Sequence, residues 1–204
     1  MTTRPTAPGL LSASAAVLWA GALAAEPLAP ALGQTTEFDC TGPYGKKNVF
    51  TVAEVTGERV RIEQKRDGRA EWLEKPAAAI GLNIYFEQQR NDGLGLHKQS
   101  FKAEDLAAYA KLEAGSSHKF KVRERNAKGK WNWTYRISVD AAKQIDHPVL
   151  GTIEVVPIFE KRTIFGGLYS SKMEALVYPE KGLAVSWTYK DRKGTSVCEL
   201  VKIE

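Results

Sequence analysis

Three histidines, His97, His118 and His147, are where acid–base or metal chemistry would have to start in this chain. None has a second metal-capable side chain at His-x-His or His-x-x-x-His spacing, so a metal site has no support. Asp146-His147-Pro148 falls between predicted elements and could pair an acid with a base. The preferred reading is a capping or turn aspartate beside an exposed histidine. Ser116-Ser117-His118-Lys119 contains Ser-x-x-Lys, in which a helix sets a lysine one turn from a serine nucleophile to take its proton. Here the motif runs into strand-like alternation. No Ser-Asp-Asn or Lys-Thr-Gly accompanies it, and Lys193-Gly194-Thr195 has the wrong order. A nucleophile elbow, a phosphate-binding loop and a dinucleotide fingerprint are missing too. The expectation is a noncatalytic protein with no catalytic residue, metal or cofactor; a secreted hydrolase built around Asp146 and His147 is the enzymatic alternative.

Binding chemistry is better represented. Lys119, Lys121, Arg123 and Arg125 alternate with Phe120 and Val122, and Arg136 joins them across a hairpin. Cations gathered on one sheet face suit an anionic envelope partner such as lipid headgroups, against the plainer reading of a solvated strand face that guards against aggregation. Glu124 lies in the opposite register and does not neutralise the stripe. On the next strand Trp131, Trp133, Tyr135, Ile137 and Val139 share a face, and the aliphatic continuation marks that face as core. The alternative is a carrier of an apolar or amphiphilic small molecule, with Trp131, Trp133, Tyr135 and Trp187 lining its cavity and Trp131 with Tyr109 or Tyr169 at the mouth.

The amino terminus reads as an export leader. Arg4 precedes an uncharged apolar stretch from Leu10 to Ala25, which ends in the small-x-small triplet Ala22-Leu23-Ala24. This predicts a cleaved signal peptide over 1–24 and no transmembrane anchor in the mature chain, because Pro27 and Pro30 break any continued helix. No cysteine flanks the cut, so a free chain in the periplasm or outside the cell is expected. In an oxidising compartment the only two cysteines, Cys40 and Cys198, are expected to pair.

These residues need elements to hold them. Period-two alternation dominates. It predicts hairpins of 118–125 with 131–140, of 183–189 with 197–203, and of 49–55 with 60–64. Further strands are expected at 70–73, 82–88, 152–158 and 168–178, with Pro179–Gly182 as a turn. One helix is expected at 103–113 and a short helical turn at 141–145. About nine strands and one helix describe a mainly β protein, an antiparallel β-sandwich or a partly open β-barrel with one short helix. The expected layout is a disordered lead-in over 25–36 and a single domain over 37–204, or two β halves at 37–99 and 116–204. Basic turns ending in Gly68, Gly129 and Gly194 form a faint echo. The net charge of +5 is well mixed in sign and falls short of a nucleic-acid footprint.

The last 55 or so residues carry Leu150-Gly151-Thr152, Gly167, Tyr169, Tyr178-Pro179-Glu180-Lys181-Gly182 and Val185-Ser186-Trp187. This stretch resembles a pattern in uncharacterised exported β-rich bacterial proteins. The resemblance implies an all-antiparallel exported β fold. It brings no catalytic residue with it.

Overall fold

The computed structural model describes residues 30–79 and 81–204. The leader and residues 25–29 of the lead-in lie outside the described residues. The strands are β1 (Thr35–Thr41), β2 (Lys47–Thr56), β3 (Arg59–Arg66), β4 (Arg69–Pro76), β5 (Glu87–Arg90), β6 (Gly95–Ser100), β7 (Ser117–Asn126), β8 (Gly129–Val139), β9 (Lys143–His147), β10 (Gly151–Ile164), β11 (Tyr169–Tyr178), β12 (Leu183–Asp191) and β13 (Gly194–Ile203). Among the described residues the one α-helix, α1 (Ala103–Ala110), sits between β6 and β7.

Twelve of these strands close into an antiparallel barrel in the order β11-β12-β13-β1-β2-β3-β4-β5-β6-β7-β8-β10, with β10 returning to β11. β10 makes the closure. Its second part meets β8 at Ile158↔Val139 through Thr163↔Thr134 and β11 at Val156↔Val177 through Ile164↔Tyr169. Its first part, Gly151 to Val155, pairs with β9. A closed ring leaves no barrel strand with a free edge. Of the two architectures expected from sequence, the barrel is the one formed, and it is closed rather than partly open. It draws on both halves of the chain, through β6–β7 and β13–β1.

The three predicted hairpins form. The helix stops at Ala110 instead of running to Glu113. The expected helical turn at 141–145 is instead mostly β9, whose backbone groups bond to β10. The strand expected at 82–88 starts only at Glu87. Gly81, at φ +75°, redirects the chain, and Leu82, Ile84 and Tyr85 are buried in the connection. Of the expected lead-in, Gly33 already donates to the Val52 carbonyl at 2.8 Å, and Thr35 and Thr36 open β1.

The two ends of the barrel differ. Short turns at 42–46, 67–68, 91–94, 127–128, 165–168 and 192–193 join strands at one end. The echoing glycines Gly68, Gly129 and Gly194 all fall there, because an up-and-down meander returns to that end at every second connection. The opposite end holds the long connections, including 77–86, α1 and the β9–β10 hairpin. Ala79, Leu82, Ile84 and Tyr109 from those connections pack against Phe120, Tyr135 and Val177 of the wall. A second cluster joins Ile153 and Val155 of β10 to Phe38, Leu183, Val185 and Leu200.

Cys40 and Cys198 stand directly opposite each other on β1 and β13 and form the expected disulfide, with Cα atoms 4.1 Å apart. The bridge staples the first strand to the last. Beside it the chain turns at Gly42, φ +93°, where a Cβ would lie 2.2 Å from the Thr195 carbonyl oxygen, so no larger residue fits. With 158 residues of sequence between its ends, the bridge is expected to contribute on the order of 4–5 kcal/mol by restricting the unfolded chain. Non-reducing peptide mapping should recover Cys40 joined to Cys198, and a Cys40→Ser/Cys198→Ser variant should lose about that much in urea unfolding.

Candidate functional site: the barrel cavity

Inside the barrel lies a cavity of about 680 Å³. Strand direction sorts its lining. Towards the end with the long connections the walls are largely apolar, with Val52, Ile62, Leu73, Leu82 and Leu183, and Phe38, Phe50 and Trp187 follow at mid-height. Towards the short-turn end come rings and charges: Trp131, Trp133, Tyr169 and Tyr189 with Arg66, Arg90, Asp92, His97, Asp191 and Lys193. In all, five Lys or Arg and three Asp or Glu side chains line the space, so the lining carries an excess of positive charge.

The aromatic end is tied together. The Arg162 guanidinium lies over the Trp133 ring at 5.1 Å, donates from Nε to Ser171 Oγ at 2.7 Å, and reaches the Tyr189 hydroxyl at 2.9 Å. Trp133 and Tyr169 meet edge to face at 5.7 Å. Tyr169 donates to Asp191 at 2.9 Å, and Tyr44 donates to the same carboxylate oxygen. Burial alone would raise the Asp191 carboxyl, but the hydrogen bonds from Tyr44, the Lys193 backbone and Tyr169 outweigh it and hold the group below its ordinary range.

A second polar network runs through the wall of β6, β7 and β8. His97 Nδ1 and Glu124 Oε1 are 3.2 Å apart; Gln99 donates to the Tyr135 hydroxyl at 3.2 Å, and that hydroxyl donates to the Asn83 carbonyl at 3.4 Å. The Asn83 backbone N–H donates to Glu160 at 2.9 Å. His97, Gln99, Glu124 and Glu160 are all buried.

Three buried polar atoms on cavity-lining residues lack a well-formed hydrogen bond: Trp133 Nε1 has no partner, and Arg90 Nε and His97 Nε2 have only Asp92 Oδ2, at 3.2 and 3.5 Å. Leaving such an atom unmade costs about 1–3 kcal/mol. All three belong to the short-turn half, where the rings are.

Trp131, Trp133 and Trp187 therefore line the cavity as the carrier reading requires. Tyr135 does not: it is fully buried in the core, where its hydroxyl is taken up by Gln99 and Asn83. Tyr169 stands in the cavity wall, while Tyr109 packs in the core. Lys119, Lys121, Arg123, Arg125 and Arg136 are all exposed on the outer face, remote from the cavity lining. Asp146 and His147 do not pair. As neighbours on a strand they point to opposite sides; Asp146 accepts from Thr152 Oγ1 at 2.7 Å, and His147 Nδ1 accepts from the Val149 N–H at 3.1 Å. His147 is buried rather than exposed, and burial pulls its imidazole down. Ser116 stands just before β7 and Lys119 lies within it, so the Ser-x-x-Lys pair has strand geometry and not the helical spacing its chemistry needs. His118 instead pins α1, 3.1 Å from Asp105. Among the described residues no three His, Cys, Asp or Glu side chains converge as a metal-binding group.

The sequence named His97 only as one of three histidines and did not single out Arg90, Arg162 or Asp191. The one available signal was Glu124, an acid out of register with the basic stripe and therefore facing inward.

At the end with the long connections, Lys75 is buried and donates to the Leu82 carbonyl at 3.0 Å. Burial pulls its ammonium down to about 8, and the nearby Glu160, itself pushed up by burial, offsets this only in part. Between that value and the ordinary 10.5 the unfolded lysine keeps its proton while the folded one has released it. The unfolded state then binds more protons, so stability rises with pH across the window. Relative to Lys75→Met, the wild type is expected to gain up to ~3 kcal/mol between those limits and to show no change in the gap below them. Urea midpoints at stepped pH check this; a flat difference would mean that the ammonium is not desolvated.

No family model matches the chain, and no curated protein does. Among solved structures it is similar to the hypothetical lipoprotein YmcC from Escherichia coli, at 10% identity and a TM-score of 0.52, over 84% of this chain and 88% of that one. At that identity the likeness is one of fold, and it extends over nearly the whole barrel.

Proposed function

We propose that this is a noncatalytic carrier of the bacterial envelope whose barrel holds an amphiphilic small molecule, with the apolar part among Phe38, Phe50, Val52 and Trp187 and an anionic or acceptor-rich group among the rings and cations of the short-turn end. The observation that carries the reading is one cavity with an apolar half and a ring-lined, cation-rich half, where Trp133 Nε1 is buried without a partner and Arg90 and His97 share the single carboxylate of Asp92. Arginine Nε and indole Nε1 can only donate, and the imidazole nitrogen donates in the matching tautomer or when protonated. A ligand that brings acceptors satisfies Trp133 and supplements the one carboxylate that Arg90 and His97 share. The volume lies within the range usual for small-molecule sites, and a mostly apolar lining with a few converging polar groups is their usual composition. The Cys40–Cys198 bridge favours an oxidising compartment, and the barrel shared with a protein described as a lipoprotein is consistent with the envelope.

Dodecyl phosphate and dodecanol offer the same chain with and without the anionic head. Calorimetry should show saturable one-to-one binding of dodecyl phosphate and markedly weaker binding of dodecanol. Trp133→Phe removes the unpartnered donor and Arg90→Gln removes a cation from the same end, and each should weaken dodecyl phosphate by about tenfold. No binding, or equal binding of the two probes, would sink the carrier reading. Native mass spectrometry of protein taken from envelope extract then identifies the natural occupant by mass.

A further inference from the structure

The outer wall of the barrel is electrically one-sided. Along β7, Lys119, Lys121, Arg123 and Arg125 all point outward and are exposed. The ladder also continues Lys119 across the wall: it stands opposite Arg136 on β8, Arg136 opposite Lys161 on β10, Lys161 opposite Lys172 on β11, and Lys172 opposite Lys190 on β12. Five consecutive strands thus place a cation at the same level, each directly beside the next. All five are exposed, and among the described residues none of them forms a salt bridge.

Like charges directly opposed across strands destabilise a sheet. Two ordinary explanations fall short. Edge protection is not needed, because these strands are paired on both sides within a closed barrel. Solubility would be served equally by mixed signs, and the rest of the barrel uses them: Glu37 faces Lys202, Asp39 faces Lys47, Arg61 faces Glu74 and Glu87 faces Lys98. On the strands of the cationic wall the exposed acids among the described residues are Glu174 on β11 and Glu154 in the part of β10 that pairs with β9, and neither stands in the row.

We infer that this wall docks the barrel side-on against an anionic lipid surface, with phosphate-bearing headgroups supplying the missing counter-charge. The shape favours a surface over a single chain. The row spans about 19 Å across the strands and the β7 column about 20 Å along them, so the charges extend in two directions from Lys119, and a linear polyanion could follow only one. The wall lies on the membrane and does not enter it, because its outward positions carry Lys, Arg, Thr and Ser in place of the apolar band of a membrane-spanning barrel.

Vesicles of phosphatidylcholine alone, and of phosphatidylcholine with phosphatidylglycerol, test this by cosedimentation. The full mature protein should bind the phosphatidylglycerol vesicles only, with retention falling as salt is raised. Lys161→Gln/Lys172→Gln should weaken binding by roughly fivefold per cation removed. It should also raise the thermal midpoint slightly, because a repulsive pair is gone. Lys46→Gln/Lys65→Gln removes the same charge from the opposite wall and should leave retention unchanged. Equal loss in both double variants would reduce the effect to net charge and overturn the docking face. Binding to phosphatidylcholine alone, or full competition by soluble polyphosphate at the vesicles' phosphate concentration, would also overturn it, the latter in favour of a soluble polyanion.

Discussion

Ring closure by β10 is the constraint on which the rest of this molecule depends. A strand that meets β8 on one side and β11 on the other leaves no unpaired ladder in the ring, and every backbone donor and acceptor along the wall has an interstrand partner to reach. The Cys40–Cys198 bridge lies on a different seam, between β1 and β13. There the chain's first and last strands meet, where fraying of the termini would otherwise open the barrel. Hydrogen bonding at one seam and covalent linkage at the other hold a single circumference.

That circumference dictates the interior. A barrel of about eight strands can be filled by its own side chains, and wider ones leave space unless something plugs them. Here the long connections plug one end with Ala79, Leu82, Ile84 and Tyr109, and the remaining volume is the cavity. An interior that is part core and part cavity also explains the polar network. His97, Gln99 and Glu124 sit on inward positions because they face one another and the open space, not a packed apolar layer. Buried polar groups with few partners persist in native proteins where function retains them, and Trp133, Arg90 and His97 all border one space.

The exterior obeys a separate rule. Inward residues answer to packing and hydrogen bonding, while outward residues answer only to solvent and partners, so one strand can carry core on one face and an uncompensated charge on the other. β7 shows this within ten residues: Phe120 and Val122 are buried, while Lys119, Lys121, Arg123 and Arg125 are exposed. Cavity and cationic wall are therefore independent features of one sheet, and either can change without disturbing the other.

Where a strand buries apolar residues on alternate positions, the sequence alone determined its existence and facing. The hairpin of β7 and β8 and the β12–β13 hairpin were legible for that reason, and the pairing of the two lone cysteines was legible from their number. The sequence was mute where inward residues are polar: β5 and β6 present Gln88, Arg90, His97 and Gln99 to the interior, so their alternation carries no hydrophobic signal. It also misread 141–145, where pairing with β10 overrode local preference. Only the tertiary structure decided that the sheet closes, that Trp131 and Trp133 face space while Tyr135 faces core, and that Lys161, Lys172 and Lys190 extend the β7 stripe into a row. Register and closure bring together residues far apart in the chain through backbone pairing, and no local pattern encodes which strand will be the neighbour.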